Sequence, residues 1–372
     1  MRWLEPLSWK NLAAAEQLAQ VALARQPTAS GAWRSLIQSQ KKMGKTAQAD
    51  ANIEKAAAAF GDDPAGRTRF VALLLETDEF DRALAAADAL PPGAAADALL
   101  RQAALGSQTL GPVQRRVLAD DELTFNQAWR AAQTPDQLHA LIARCRAQLA
   151  QNPIHTEARC VLAHALARTG RADDAGATMA LDSLTQISQT GDAALREALT
   201  GEIKRNPTLV PDPRNKATRD GLQTGRLDLP GDAAVAALVA HFKTAVEAYI
   251  AAMAGRADPW IASAPASATL FPWAVVYGAA GRQTAHRHPA GWLSGVYYVS
   301  APREDDGYRG ALLLGEPDKD LGVPAPWGVQ RIEPIPGRLV LFPSFVTHAT
   351  DACGSDGQRI SIAFDVMPAA AE

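Results

Sequence analysis

The pattern of residues in the chain changes near position 200, and this change limits the folds that it can adopt. Before that point, segments rich in alanine and leucine lie between Gly and Pro breaks such as Pro27 and Gly44, which predicts one helix after another. Beyond about Pro207, apolar runs between Gly and Pro turns predict strands, with one helix over about residues 231–254. In a chain of 372 residues this predicts two domains, a helical one over 1–200 and a β-rich one over 201–372.

Composition excludes some classes of partner. A hydrophobic content of 47% and a charged content of 21% are typical of globular domains with buried cores. The formal net charge is -3 and the sequence pI is about 6.2, so the chain has no overall basic field. We therefore expect no binding to nucleic acid and none to anionic membrane surfaces.

The cysteines and the apolar runs bear on the compartment. Cys145, Cys160 and Cys353 are scattered and odd in number, without a CxxC spacing, which favours reduced thiols over a zinc site or a disulfide framework. The first residues do not have the pattern of a secretory leader. No run of 18 uncharged apolar residues occurs, so we expect no membrane span. These features predict a cytoplasmic protein.

The helical half contains a repeated spacing. A proline is followed 17 residues later by glycine and 22 residues later by alanine in two places: Pro27, Gly44, Ala49 and Pro153, Gly170, Ala175. A weaker copy starts at Pro64. These segments resemble tetratricopeptide repeats, helix–turn–helix units that stack into a curved array. The resemblance implies a concave surface that binds a peptide or protein, while a helical scaffold that supports or dimerises the second domain explains the pattern equally well.

Three histidines in the second half have the spacing of a metal site. His286 and His288 stand one residue apart where a predicted strand gives way to a loop, and His348 follows 62 residues after His286. A non-haem Fe(II) centre that activates O2 needs three protein ligands on one face. Two neighbouring ligands at a strand end and a third from a distant strand fit that arrangement.

A candidate anion clamp follows on the next predicted strand. Arg359 lies 11 residues after His348, and Ser361 stands two positions further on, so their side chains share one face of the strand. The fork of an arginine matches a carboxylate with two hydrogen bonds. Arg359 and Ser361 are therefore candidates to bind the distal carboxylate of 2-oxoglutarate.

These blocks together resemble a known family. They are His286-Arg287-His288-Pro289, Ser294-Gly295-Val296-Tyr297-Tyr298, Gly337 through Pro343 with His348, Arg359-x-Ser361, and an upstream stretch over 216–225. Over about residues 212–367 the chain resembles 2-oxoglutarate-Fe(II) oxygenases. The resemblance implies a double-stranded β-helix of the jelly-roll, cupin-like kind that uses Fe(II), 2-oxoglutarate and O2. Tyr277 and Gln283 are further candidates to contact the cosubstrate.

One position departs from the wider superfamily, which places Asp or Glu two residues after the first histidine. This sequence has His288 there. His288 could be a third neutral ligand. Alternatively, it could contact the ligands without binding the metal itself, while water or substrate fills the vacant position. In the third reading, the site binds no iron.

The sequence leaves three functions open. Hydroxylation of a peptide or protein held partly by the repeats is favoured, by analogy with other hydroxylases that carry repeats. A non-enzymatic repeat scaffold with a degenerate oxygenase domain is the second. The third is a three-histidine dioxygenase of cupin type without 2-oxoglutarate, against which the Arg359-x-Ser361 pair argues.

Overall fold

The computed structural model describes residues 1–4, 9–107, 110–190, 192–212, 216–227, 233–319, 321–354 and 357–369. The chain divides into two compact units. The helical unit comprises Leu7–Thr134, and the sheet unit comprises Met1–Pro6 with Pro135–Glu372.

The helical unit is built from eight described helices. They are α1 (Trp9–Arg25), α2 (Ser30–Lys42), α3 (Thr46–Phe60), α4 (Pro64–Glu76), α5 (Phe80–Asp88), α6 (Ala94–Gly106), α7 (Pro112–Val117) and α8 (Phe125–Ala131). Apolar residues at helical spacing form one core, including Ile37, Ile53, Val71, Leu74 and Ala83.

Side chains at the helix starts explain where two of these helices begin. The Asp63 carboxylate precedes α4 and accepts from Gly66 N–H at 2.7 Å. Thr124 precedes α8, where its hydroxyl accepts from Gln127 N–H at 3.2 Å and Gln127 Oε1 accepts from Thr124 N–H at 3.0 Å. Such caps satisfy backbone donors that a helix leaves unpaired at its start.

The sheet unit combines the remaining helices with all the described strands. Its helices are α9 (Pro135–Gln151), α10 (Thr156–Arg168), α11 (Ala172–Met179), α12 (Leu181–Leu184), α13 (Ala193–Arg205), α14 (Ala233–Met253) and α15 (Pro259–Ala262). Its strands are β1 (Arg2–Trp3), β2 (Gln186–Gln189), β3 (Val210–Pro211), β4 (Thr218–Arg226), β5 (Ser267–Gln283), β6 (Leu293–Ser300), β7 (Arg303–Glu304), β8 (Gly307–Tyr308), β9 (Leu312–Leu314), β10 (Gln330–Ile332), β11 (Arg338–Pro343), β12 (His348–Thr350) and β13 (Arg359–Pro368).

Two antiparallel sheets organise this unit. The larger has the order β2-β11-β6-β13-β5-β4-β3, with β1 added in parallel against β5. The smaller has the order β10-β9-β12, and β7 and β8 form a separate hairpin. Because β13 lies between β5 and β6, residues from three distant parts of the chain are adjacent. The strands predicted around Leu293, Arg338 and Arg359 are all present.

Helix α14 matches the predicted helix over 231–254, within the described residues. Phe242 of α14 stacks on Phe364 of β13 with ring centroids 4.2 Å apart, and Tyr249 donates its hydroxyl to Leu184 O at 2.8 Å. In the described part of the chain α14 is the one helix long and apolar enough to cross a membrane, by length and composition only. A single such helix is weak evidence for a span, because core helices pass the same test.

The three copies of the repeated spacing coincide with helix–turn–helix pairs. These are α2 with α3, α4 with α5, and α10 with α11. Gly44 and Gly170 end the first helix of two pairs with φ of 74° and 77°, a conformation that glycine adopts without steric cost. Ala49 and Ala175 are buried where the second helices pack. The tetratricopeptide assignment itself stays a prediction.

Contacts group the segment 135–205 with the sheets. Helices α9 to α13 and strand β2 belong to the sheet unit, whereas the sequence pattern predicted a boundary near residue 200. The pattern marks where helical periodicity ends, and it carries no information on which helices pack against the strands. The third copy of the repeated spacing, α10 with α11, therefore lies in the sheet unit.

Candidate metal centre

Three histidines from two segments of the chain converge in the sheet unit. His286 follows β5 and His348 begins β12, and their backbones exchange hydrogen bonds of 3.0 and 2.8 Å. The His288 N–H donates to Ser344 O at 3.1 Å, which places His288 beside the other two. One ring nitrogen from each of the three lies within 4.8 Å of the others. The structure therefore assembles the predicted histidines into one cluster.

Backbone carbonyls orient two of the rings. His286 Nδ1 lies 2.8 Å from Thr284 O, and His348 Nδ1 lies 3.1 Å from Val346 O. A carbonyl oxygen only accepts, so the proton of each neutral ring is on Nδ1. The lone pair of each Nε2 is then left for a metal ion, and ligand histidines usually have such a second partner.

His288 is oriented by a carboxylate. Its Nδ1 donates to Asp365 Oδ1 at 2.5 Å, and the Ser294 hydroxyl donates to the same oxygen at 2.7 Å. The Ser294 and Ser344 hydroxyls are 2.8 Å apart. This arrangement also leaves Nε2 of His288 for a metal ion, so each of the three rings has its Nδ1 engaged and its Nε2 available.

Burial and the neighbouring imidazoles keep His286 and His348 neutral. Burial, with His288 close by, lowers the pKa of His286 to about 3. Burial and the imidazoles of His286 and His288 hold the pKa of His348 well below its ordinary value. Neutral imidazole is the form that binds a metal ion, so the nitrogen donors fit Fe(II).

Arg359 lies in the same cavity as the histidines, as does Ser361. Arg359 is 1% exposed, and its Cζ lies 5.2 Å from the ring centre of Tyr277 and 5.4 Å from that of Tyr298. Its Nη1 donates to Gly310 O at 2.5 Å, which fixes one side of the guanidinium.

Buried polar atoms around Arg359 lack partners. Arg359 Nε and the Tyr298 hydroxyl make no hydrogen bond, although both are buried. Leaving such groups unpaired costs free energy, about 1–3 kcal/mol each, so a ligand that accepts from them would stabilise this part of the cavity. The Nε–H of the guanidinium and the Tyr298 hydroxyl beside it fit the carboxylate of a small acid such as 2-oxoglutarate.

The two other predicted cosubstrate residues occupy different positions. Gln283 lines the cavity, and its backbone N–H donates to Thr350 Oγ1 at 2.8 Å. Tyr277 is fully buried and pairs directly with Arg359 across β5 and β13. It lies against the guanidinium rather than among the residues that line the cavity.

Asp365 is the residue that the sequence interpretation missed. A signal for it exists, because positions 359, 361, 363 and 365 alternate along β13 and therefore share one face. The first three line the cavity, and Asp365 contacts His288. A single carboxylate on the cavity face of an apolar strand was thus detectable, but its partner was not.

Helix α10 contacts the loop that follows His288 and the segment around Asp318. The Thr156 hydroxyl donates to Pro289 O at 2.7 Å, and His164 Nε2 accepts from Asp318 N–H at 3.1 Å. Except for Glu157, every α10 residue from Thr156 to Ala167 is buried. The alanine-rich sequence permits this because small side chains let a helix approach a sheet closely.

Cys160, midway between Thr156 and His164 on the same face of α10, contacts the residues next to the ligands. Its Sγ lies 3.5 Å from Arg287 Nη1 and 3.7 Å from Thr347 Oγ1. Burial alone raises the pKa of this thiol, yet Arg287 and His164 lower it to about 6. His164 is 2% exposed.

Solved structures with similar chains have low TM-scores. A prolyl-4-hydroxylase from Pseudomonas putida has a TM-score of 0.37 and 19% identity, covering 50% of this chain and 93% of its own. A Trichoplax adhaerens prolyl hydroxylase, in complex with a hypoxia-inducible-factor peptide fragment, has a TM-score of 0.36 and 14% identity, with coverages of 54% and 90%. HygX from Streptomyces hygroscopicus, with nickel and 2-oxoglutarate bound, has a TM-score of 0.32 and 14% identity, with coverages of 50% and 84%. Similarities this low carry no conclusion about the present chain.

The comparison by family is more direct. No curated protein matches the chain. The family match spans β5 to β13 and includes the three histidines of the cluster. Over residues 272–365 the chain is similar to the family described as "Putative 2OG-Fe(II) oxygenase".

Proposed function

We propose that this protein is an Fe(II)- and 2-oxoglutarate-dependent dioxygenase that hydroxylates a peptide or protein. The observation that carries the proposal is a shared cavity. His286, His288 and His348 present free Nε2 atoms there, and buried Arg359 lies in the same cavity with unpaired Nε. The family match supports the same chemistry.

In this proposal the three histidines hold the metal. Of the three readings of His288, direct ligation is favoured, because Asp365 turns its Nε2 toward the other two rings. With O2, Fe(II) and 2-oxoglutarate supply the oxidation, in which 2-oxoglutarate becomes succinate and CO2 and one oxygen atom enters a C–H bond of the substrate.

Other residues of the cavity hold the cosubstrate and exclude water. Arg359 binds the far carboxylate of 2-oxoglutarate through its fork, and Ser361 donates a second hydrogen bond from the same face of β13. Trp273, Val275, Leu312 and Phe342 form apolar walls. Such walls keep the dielectric constant low around the charged groups, which strengthens their interactions.

We also propose the finer structural assignments. The two antiparallel sheets support a double-stranded β-helix, because residues of both line the cavity. The helix–turn–helix pairs of the helical unit support a tetratricopeptide-like array. We further propose a cytoplasmic protein without nucleic-acid or membrane partners, on the basis of composition and charge.

A polar groove in the helical unit supports a peptide partner. The groove is about 480 Å³ and is lined largely by amide and charged side chains. Gln40 Nε2 donates to Glu16 Oε1 at 2.9 Å, and Asn52 Nδ2 donates to Gln40 Oε1 at 2.9 Å. These bonds fix the wall of the groove, and Gln17, Gln20 and Gln48 also line it. An amide offers both a donor and an acceptor, which is what the backbone of an extended peptide needs.

An anaerobic titration tests the proposed activity. The metal-free protein receives Fe(II) and then 2-oxoglutarate while visible absorption is recorded. We expect a metal-to-ligand charge-transfer band on addition of 2-oxoglutarate. Arg359→Ala should abolish the band while iron still binds, and His348→Ala should abolish both.

Two other outcomes favour the alternatives. The neutral three-histidine cluster also fits a cupin-type dioxygenase, and iron binding without the band would support that function. A protein that binds no iron at all would support the non-enzymatic scaffold.

A further inference from the structure

The proposed iron site has three neutral ligands and no carboxylate. A set of two histidines and one carboxylate would bring one negative charge to Fe(II). Here His288 occupies the position of that carboxylate, and the three clustered imidazoles offer only uncharged nitrogen donors. A divalent ion surrounded only by neutral donors in a partly buried cavity is poorly compensated.

A carboxylate, that of Asp365, is hydrogen-bonded to Nδ1 of His288. Asp365 Oδ1 is 2.5 Å from His288 Nδ1, and a hydrogen bond from an imidazole N–H to a carboxylate is charge-assisted. Asp365 is 9% exposed. Among the described residues, no lysine or arginine forms an ion pair with it, so its charge acts on His288.

The surrounding strands fix this carboxylate. Asp365 of β13 is the cross-strand partner of Ser294 on β6, and the Ser294 hydroxyl donates to the same Oδ1 at 2.7 Å. The Ser294 hydroxyl in turn contacts the hydroxyl of Ser344. The backbone carbonyl of Ser344 accepts from His288 N–H. His288 is therefore held at its ring and at its backbone by one connected network.

We propose that the pair His288–Asp365 replaces the missing carboxylate ligand of the metal centre. Asp365 is a positioning residue: it turns His288 Nε2 toward the metal and supplies, through the imidazole, the negative charge that the direct ligands lack. The inference rests on the proposed function for the presence of a metal. It adds a residue and a role that the ligand motif does not contain.

Metal affinity tests this role without depending on turnover. The full-length protein is titrated anaerobically with Co(II), and binding is followed by the visible absorption of the ion. Asp365→Asn keeps the size and the Oδ1 acceptor but removes the charge, and we expect its Co(II) dissociation constant to rise about 10- to 100-fold. Asp306→Asn is the matched control, since Asp306 is exposed and pairs with Arg309, and it should bind Co(II) like wild type.

A double variant separates this role from a purely structural one. His288→Asp combined with Asp365→Asn moves the carboxylate into direct contact with the metal. We expect this variant to bind Co(II) within about 3-fold of wild type, because the charge is restored, whereas a structural defect at position 365 would persist. A double variant that binds no better than Asp365→Asn alone overturns the proposal.

Circular dichroism shows whether Asp365→Asn folds. If it does not fold, a further variant tests the same role. Ser294→Ala removes one anchor of Asp365, and we expect a smaller loss of Co(II) affinity. Unchanged affinity in every variant that folds overturns the inference. Wild-type protein that binds Co(II) but forms no charge-transfer band with Fe(II) and 2-oxoglutarate refutes the proposed function and leaves the role of Asp365 intact.

Discussion

The hydroxyl of Thr156 donates to the carbonyl of Pro289 at 2.7 Å, joining helix α10 to the loop that follows His288. Thr156 lies 133 residues before Pro289 in the chain and is 3% exposed. The same helix contacts Arg287 through Cys160. The loop that carries two of the candidate ligands is therefore held by a helix from the alanine-rich half of the sequence.

Thr156→Val should lower the free energy of unfolding by about 0.5–1.5 kcal/mol, the usual net value of one such hydrogen bond. Urea unfolding followed by circular dichroism measures the change. Thr244→Val is the control, because the exposed Thr244 hydroxyl bonds within its own helix, to Ala240 O at 3.2 Å. Equal losses in the two variants would argue against a special role for the contact with Pro289.

His348→Ala should abolish succinate formation from 2-oxoglutarate. His348 is 4% exposed and presents Nε2 to the cluster, so its loss removes one of three metal ligands. Succinate release under air, with Fe(II) and ascorbate, is the measurement. His139→Ala is the control, since His139 is exposed on α9, and it should retain wild-type activity. Wild-type turnover in His348→Ala would refute the assignment of this ligand.

Arg359→Lys should weaken 2-oxoglutarate binding about 10- to 100-fold while iron binding is retained. Lysine keeps the charge but lacks the planar fork that matches a carboxylate, and a hydrogen bond to a charged group is worth about 1.5–3 kcal/mol. Anaerobic titration of the charge-transfer band gives the dissociation constant. Arg338→Lys serves as the matched control, because Arg338 begins β11 and donates to Glu333 O. Equal affinity in Arg359→Lys and wild type would contradict the clamp.

The metal-free protein should lose stability as the pH falls below about 6.5. Burial and the neighbouring imidazoles hold the pKa of His348 below its ordinary value in the folded state, whereas the unfolded chain titrates near about 6.5. Below that pH the unfolded state binds more protons, so the free energy of unfolding decreases. The slope reaches at most about 1.4 kcal/mol per pH unit for each such histidine.

Urea unfolding in the presence of a chelator, at several pH values between about 7.5 and 5, measures this slope. His286, with its pKa lowered to about 3, contributes with the same sign. His348→Asn cannot titrate and should show a shallower slope than wild type. The same slope in both proteins would show that His348 is not responsible.

Local sequence patterns predicted most of the elements that carry the site. Apolar runs between Gly and Pro turns predicted the strands now seen as β6, β11 and β13, and the period of two along β13 placed Arg359 and Ser361 on one face. The spacing of His286, His288 and His348 predicted their convergence, and their nitrogens lie together. These features depend on residues close in sequence or on a motif whose geometry is known.

The partner of His288 could not be predicted in the same way. Asp365 reaches His288 because β13 is inserted between β5 and β6, and nothing in the sequence around Asp365 specifies that order of strands. The unpaired Nε of Arg359 and the aromatic rings on either side of it likewise depend on neighbours from two other strands.

The sequence by itself determined where helices and strands form, because periodicity and breaks act over a few residues. It also determined which side chains can bind a metal ion and a carboxylate. Only the tertiary structure decided that α10 packs within the sheet unit and that Asp365 is hydrogen-bonded to His288. Helical periodicity is the same whether a helix packs on other helices or on a sheet. The choice is made by contacts between residues more than a hundred positions apart, such as Thr156 with Pro289.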